Sequence, residues 1–390
     1  MSSDPSTTSS APPSKTATWR KIVVQYQEPS VARATWQLAN TLIPYGAIWY
    51  LIYLSMSVSY WLVLPLCILG GLFIVRTFII FHDCTHRSYF KSAAANDIVG
   101  FITGLLTFTP HYHWRWEHAI HHATSGDLDQ RGVGDIWTMT VEEYLRSSRW
   151  KRFAYRLARN PFVLFGIAPL YLFIIHNRIP SPKANRREWW SVHIMTLAIL
   201  GVSTGLVFIY GLLPYLFIHL TMLLVAGSVG IWMFYVQHQF EDVYWNHGDD
   251  WDFTAAALEG SSFYKLPKIL QWFSGNIGYH HIHHLSPRIP NYNLERCHQA
   301  DPLFQKVKPI TLFESFKTLA LRFWDERLRR MVTFGHVRQL RKQRKLEAAA
   351  AAAAATEKSS SDTTGSSESS STSSATHPGN TTGDHGNTPR

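Results

Sequence analysis

Four apolar stretches, at about 36–54, 57–80, 190–211 and 213–236, constrain this chain more than any other feature. A helix that crosses a bilayer needs about 20 apolar residues, and each stretch approaches or exceeds that length. They fall into two pairs. The links at Ser55-Met56-Ser57-Val58-Ser59 and around Tyr210-Gly211-Leu212 are short and uncharged, so each pair reads as a tight helical hairpin. The segment between the hairpins carries Arg87, Lys91, Arg115, Arg131, Arg146, Arg149, Lys151, Arg152 and Arg156. Basic loops stay on the cytoplasmic side, which puts both termini there as well. The expected fold is all-α: a polytopic membrane protein with four transmembrane helices in two hairpins and a cytoplasmic helical cap.

A mean hydropathy of −0.09 averages two unlike kinds of sequence. Residues 1–18 are rich in Ser, Thr, Pro and Ala, and the chain from Ala348 runs through eight alanines into Ser, Thr, Gly and Asn. Neither end can bury enough apolar surface to fold alone. The expected organisation is a disordered tail at 1–18, a membrane domain at 19–346 and a low-complexity tail at 347–390. The start lacks the charged n-region and short apolar core of a cleaved signal peptide. Cys67, Cys84 and Cys297 show no paired spacing, so no disulfide framework is expected. The net charge of +10 comes with no P-loop and no dinucleotide-binding glycine motif, and no nucleic-acid partner is expected.

Two shorter apolar segments, 98–108 and 162–175, are too short to span and read as interfacial or re-entrant helices. Residues 310–346 read as a basic helix suited to anionic lipid or to an acidic electron carrier. Arg76 lies near the inner end of the second stretch, where its side chain can snorkel to the interface.

Three histidine clusters sit on this scaffold: His82-Asp83-Cys84-Thr85-His86, His118-Ala119-Ile120-His121-His122 and His280-His281-Ile282-His283-His284. Spacings of three and four place side chains on one helix face. The hairpin topology puts all three clusters on the same side of the membrane. Neutral imidazole is the commonest protein metal ligand, and eight exceed what one zinc ion can use, so two metals are expected. Hard cations prefer oxygen, whereas imidazole suits zinc, copper, iron and nickel. Two redox-capable irons fit eight clustered histidines better than a zinc hydrolase site does. The Glu-x-x-His pattern of soluble di-iron bundles is absent, so the centre would be of a nitrogen-rich type.

The series HxxxH, HxxHH, HxxHH, filled by His82/His86, His118/His121/His122 and His280/His283/His284, resembles the membrane fatty acid desaturase superfamily. The likeness extends to Trp116-Glu117-His118, to Gly275-Asn276-Ile277-Gly278-Tyr279 and to the run from Leu285 through Tyr292. It covers roughly residues 35–310 and looks like the acyl-lipid Δ12/ω6 bacterial-type branch. The resemblance implies a histidine-ligated di-iron centre that uses O2 to remove two vicinal hydrogens from a fatty acyl chain, leaving a cis double bond. The position implied is Δ12/ω6, with Δ5 also found among similar sequences. The chain could arrive on a lipid, on coenzyme A or on acyl carrier protein. Electrons would come from a separate ferredoxin or cytochrome b5, and the setting would be a bacterial cytoplasmic membrane.

The same resemblance suggests a ninth ligand, His238, which as a helix-end histidine could instead cap carbonyls. His281, outside the HxxHH positions, and Asp83 are candidates for outer positions that orient ligand imidazoles. His111 and His113 precede the second box and read as interface or outer-layer residues. His193 and His219 fall within spans, where a neutral ring hydrogen-bonded to a neighbouring helix is the economical reading, and His247 and His298 are unassigned. His377-Pro378-Gly379-Asn380 resembles a haem motif but lies in the low-complexity tail. Two other functions stay open: a hydroxylase of the same superfamily, and a metal transporter, which would place ionisable groups near the membrane midplane.

Overall fold

The computed structural model describes residues 15–364 and is mostly helical. Val31–Met56 and Tyr60–Thr85 form the first hairpin. Ser30 and Ser59 cap the two helices by accepting from Arg33 N and Trp61 N, which satisfies amides that have no partner inside a first turn. Arg186–Tyr210 and Leu212–His238 form the second hairpin. Its hinge is Gly211 at φ 83°, a backbone region open to glycine because it lacks a Cβ.

Each expected stretch therefore falls on a long helix, except that residues 57–59 and 211 belong to the links between helices. Tyr60–Thr85, Arg186–Tyr210 and Leu212–His238 combine the length and the apolar composition needed to cross a membrane. Val31–Met56 has the length, at 26 residues, but Asn40, Pro44 and several Tyr and Trp residues dilute its apolar character, and it is not among those three.

The two shorter segments take distinct forms. Ala93–Leu106 is a helix of 14 residues, below spanning length, and it folds back at Phe108 (φ 56°) into the helix His111–Thr124. The return is tight: a Cβ on Gly100 would lie 2.3 Å from the His111 ring, and one on Gly104 would lie 2.6 Å from the Thr109 carbonyl oxygen. Arg149–Ala158 and Val163–Arg178 meet at a bend of 59°. The break falls at Asn160-Pro161, as expected where proline disfavours a helical predecessor.

Tyr60–Thr85 is the most buried of the three apolar helices and packs on both Val31–Met56 and Leu212–His238. Gly70 and Gly71 make this possible, since a Cβ on Gly70 would meet Met222 Cε at 2.5 Å and one on Gly71 would meet Val225 Cβ at 2.7 Å. Further along, Ile79 shares a core cluster with Met233 and Val236. The two helices thus advance in parallel, and their C-terminal ends, at His82 and His238, reach one layer.

Over that layer lies a cap that is not purely helical, which corrects the all-α expectation. Phe263–Lys265 pairs in parallel with Pro309–Thr311. Met139–Thr140 pairs in parallel with Leu321–Asp325, which pairs antiparallel with Arg330–Thr333. Residues 310–346 are therefore not one basic helix: a strand and the helix Leu312–Thr318 lead into a β-hairpin before the chain turns helical again. Trp324 and Met331 are buried with Leu128, Val243 and Trp245, and strand side chains reach such a core on alternate faces. Asp325 Oδ1 accepts from Arg327 N and Leu328 N, both at 3.0 Å, closing the turn. Arg322 is buried and donates to Tyr235 Oη at 3.0 Å rather than facing lipid.

Arg76 also departs from expectation. It is 5% exposed and is held by Thr41 and Asn40 and by the Trp272 carbonyl, so it does not snorkel outward. From Gly335 the chain forms a separate unit, whose helix, Phe334–Thr364, runs through the alanine tract. Alanine is the strongest helix former, so the segment expected as tail from 347 is helical as far as Thr364. Likewise, part of the expected tail at 1–18 belongs to the helix Lys15–Val24. Residues 1–14 and 365–390, including His377-Pro378-Gly379-Asn380, lie outside the described residues.

The Gly71 contact yields a stability prediction. Gly71→Val should destabilise the protein by about 1–3 kcal/mol, the usual cost of overpacking. Gly201→Val, where an added Cβ meets nothing within 4 Å, should leave the thermal midpoint in detergent unchanged.

Candidate metal centre

Four helices deliver the histidines. His82 lies in the last turn of Tyr60–Thr85 and His86 caps its end. His118, His121 and His122 lie on His111–Thr124, His238 ends Leu212–His238, and the third cluster forms the short helix His280–Leu285. The fold brings nine rings together in two groups. His82, His86, His118, His122 and His283 form one, and His121, His238, His280 and His284 form the other. Within each group the candidate ligand nitrogens all lie within 4.8 Å of one another.

Helix geometry explains the division. The pairs His82/His86, His118/His122 and His280/His284 are each spaced i, i+4 and stay within one group. His121 and His283, displaced around their helices, cross to the other group. The rings of His122 and His284 stack at 4.3 Å, so the groups share a wall.

In the first group, Nε2 of His118 lies 3.0 Å from that of His82 and 3.1 Å from that of His122, and His283 Nε2 lies 2.9 Å from His122 Nε2. In the second, His238 Nε2 lies 3.2 Å from His121 and 2.9 Å from His280, and His280 lies 3.1 Å from His284. Two nitrogens bound to one ion at about 2.1 Å and at right angles would be about 3.0 Å apart. His86 Nε2 is buried without a hydrogen-bond partner among the described residues, an orphan that a metal would satisfy. Burial, aided by neighbouring imidazoles, holds His86, His118, His122, His280, His283 and His284 well below the ordinary histidine pKa. They are neutral at physiological pH, the form whose lone pair binds metal. The donor set therefore fits two metal ions.

The far ring nitrogens have oriented partners. His82 Nδ1 donates to Asp83 Oδ1 at 3.2 Å, while Asp83 Oδ2 accepts from Asn291 N at 2.6 Å and Asn291 Nδ2 at 2.8 Å. His238 Nδ1 reaches the Gly260 carbonyl at 3.4 Å. His121 Nδ1 donates to Asp135 Oδ1 at 2.7 Å. Each contact fixes a tautomer that leaves Nε2 free. Asp135 was not visible in sequence reasoning: no helical spacing links it to His121. It reaches the ring because its loop passes close by, with Gly134 at φ 70° and space for a Cβ only 3.1 Å from His121 Cβ.

His281 does not join either group. One residue on from His280, it points into the cap, where its Nε2 lies 3.1 Å from His298 Nδ1. Burial pushes its pKa down to about 3. His111 contacts Asp97 at 3.4 Å, and His113 Nε2 accepts from Ser181 N at 3.0 Å, so both tie their helix to its neighbours. His247 is exposed between Asp129 and Glu326, at 2.9 and 3.2 Å, and these carboxylates raise its pKa. The hydrogen bond expected for His219 is absent among the described residues; its ring stacks instead on Tyr215 at 5.4 Å and packs at a tilt against Phe108 at 4.3 Å. His193 packs on Trp189 at 3.9 Å.

A helical membrane protein with two groups of inward-facing histidines at one end of its apolar helices is the class this fold and site define. The model of the family described as fatty acid desaturase matches residues 59–316. A fatty acid desaturase of Bacillus subtilis (strain 168) is 47% identical over 320 residues, covering 82% of this chain and 91% of that protein. The sn-1 oleoyl-lipid 12-desaturase of Synechocystis is 28% identical, covering 67% of this chain and 74% of its own length. The sn-1 acyl-lipid omega-3 desaturase (ferredoxin) of Nostoc is 24% identical, covering 73% and 77%. This chain belongs to the fatty acid desaturase family, whose members are oxidoreductases.

Two predictions follow from the geometry. Asp135→Asn should weaken metal retention about 10–100-fold, the usual effect of removing a ligand's outer partner, as read by elemental analysis after chelator competition. Asp129→Asn, whose carboxylate serves His247, should not change it. The buried His281 sets a pH dependence: it binds a proton near pH 6.5 when unfolded but only near 3 when folded. Between those values only the unfolded chain takes up the proton, so stability falls as pH drops from about 6.5 toward 3. His281→Gln should lessen the thermal midpoint's dependence on pH across that window by one group's share, the other buried histidines supplying the rest.

Proposed function

We propose that this protein is an O2-dependent desaturase of lipid-linked fatty acyl chains, with His82, His86, His118, His122 and His283 holding one iron and His121, His238, His280 and His284 the other. The observation that carries this reading is the division of nine imidazoles into two adjacent groups. When bound, two such irons supply activation of O2 and removal of hydrogen from an unactivated methylene pair. The chain's own residues do the rest. Asp83 and Asp135 hold the tautomers of His82 and His121, while burial of the ring layer keeps bulk water from the reacting centre.

The product is a cis double bond, with the Δ12/ω6 position favoured and Δ5 the alternative; relatives named as 12-desaturases and omega-6 desaturases support the first. Electrons come from a separate ferredoxin or cytochrome b5, and a relative named as ferredoxin-dependent supports the former. The membrane domain extends over 19–346, with four spans in two hairpins and with the histidine layer and both termini in the cytoplasm of a bacterium. The basic residues between the hairpins support that orientation, and the length of Val31–Met56 supports a fourth span.

The decisive experiment is gas chromatography–mass spectrometry of total fatty acids from a host expressing the chain with a ferredoxin and its reductase, double bonds being located by derivatisation. A new cis-unsaturated acid is expected, absent with His283→Ala although that variant inserts into the membrane normally. Hydroxy acids in place of unsaturated ones, or full activity in His283→Ala, would overturn the assignment.

A further inference from the structure

A cavity of about 380 Å³ opens between the first turns of Val31–Met56, the middle of Tyr60–Thr85 and the segment 268–295. Its wall holds three cations, Arg33, Arg76 and Lys268, and one carboxylate, Glu295. That carboxylate is already engaged, by Lys268 Nζ at 2.8 Å and Gln271 Nε2 at 3.2 Å. Arg76 is 5% exposed, yet its hydrogen bonds go to neutral oxygens: Thr41 Oγ1 at 3.0 Å, Asn40 Oδ1 at 3.3 Å and the Trp272 carbonyl. Its guanidinium also lies over the Trp272 ring at 3.7 Å. Arg33 Nη1 likewise donates to a neutral group, Asn293 Oδ1, at 2.6 Å. A buried guanidinium with no counter-charge is costly, and an anion in the cavity would remove that cost.

The depth of the cavity identifies the source of the anion. Arg76 lies nine residues before the end of its helix, or about 13 Å along the axis. Two tryptophans line the same cavity, and both are partly exposed, Trp36 at 69% and Trp272 at 38%. Tryptophan belts mark the level of lipid headgroups, and a guanidinium fork matches phosphate oxygens. We propose that this cleft binds the phosphate of a glycerophospholipid, with Arg76 as the buried anchor and Arg33 and Lys268 at the rim. The inference rests on the acyl-lipid desaturase reading and adds a headgroup site to it. The cleft also abuts the histidine layer: Asn291 forms part of its wall and donates to the Asp83 carboxylate that holds His82.

The test is native mass spectrometry of the full chain in an uncharged detergent, titrated with dioleoyl phosphatidylglycerol, with dioleoylglycerol bearing the same tails, and with inorganic phosphate as competitor. Phosphatidylglycerol should be retained at least about tenfold more tightly than dioleoylglycerol, in keeping with a charge-assisted bidentate contact, and Arg76→Gln should abolish that preference. Should Arg76→Gln fail to fold, the double variant Arg33→Glu with Lys268→Glu, confined to the rim, should abolish it instead. Equal retention of the two lipids, or a preference that survives these substitutions, would overturn the proposal. Displacement of the lipid by inorganic phosphate at matching concentration would overturn the lipid assignment in favour of a free anion. Arginine-dependent retention without any unsaturated product would sink only the desaturase reading, whereas unsaturated product without headgroup preference would sink only this one.

Discussion

Gly70 and Gly71 let Tyr60–Thr85 approach Leu212–His238 until Met222 and Val225 fill the space where their Cβ atoms would stand. That approach is what the histidine layer depends on. Two parallel helices in contact along their length must end at one level, and one ends in His82 while the other ends in His238. The helix His111–Thr124 completes the layer because Gly100 and Gly104 let its incoming turn close on Ala93–Leu106. Small residues at four positions thus set where every large polar ring can meet. Helices in a membrane gain little from burying apolar surface against each other, so close backbone approach carries more of the association there.

Burial in one layer suppresses protonation of His86, His118, His122, His280, His283 and His284, because each charged ring would lose solvation and repel its neighbours. The fold accepts this and orders the rings from behind. Asp83, Asp135 and the Gly260 carbonyl each take one Nδ1 hydrogen, so the layer's free lone pairs face inward as a set. A second buried network steadies the final turn of Leu212–His238. Tyr235, three residues before His238, accepts from Arg322 at 3.0 Å and from Arg159 at 3.2 Å, and Arg159 also reaches Gln239 at 2.9 Å. The strand Leu321–Asp325 supplies Arg322, which is why the cap needs a sheet at that point: an extended segment presents a long side chain toward the helix end and its neighbours toward the core.

Much of this was legible in the sequence. Apolar runs gave the long helices, and the i, i+3, i+4 spacing of the boxes gave the faces that carry His118, His121, His122, His280, His283 and His284. His238 was visible only through the resemblance to a family, and the geometry places it with His121 and His280. The failures share one cause, dependence on partners distant in the chain. Arg76 looked like an interfacial cation because its neighbours at Asn40, Thr41 and Trp272 belong to other segments. His281 looked like an outer partner of the boxes, but a one-residue step turns it about 100° around the helix, into His298. The β-hairpin at 321–333 was read as helix because its apolar residues serve a core made by Leu128, Val243 and Trp245.

The sequence by itself determined the family, the existence of the long apolar helices and the eight box histidines, since all three follow from local composition and short spacings. Only the tertiary structure decided how the rings divide. His118 and His122 face one group and His121 the other, and the third box splits in the opposite sense, because each helix presents a surface curved enough that residues one step apart look toward different neighbours. It alone decided that Asp135 stands behind His121 and that Arg76 is buried without an opposing charge. Distances across the fold, unlike periodicity along the chain, are set by how closely helices and loops pack.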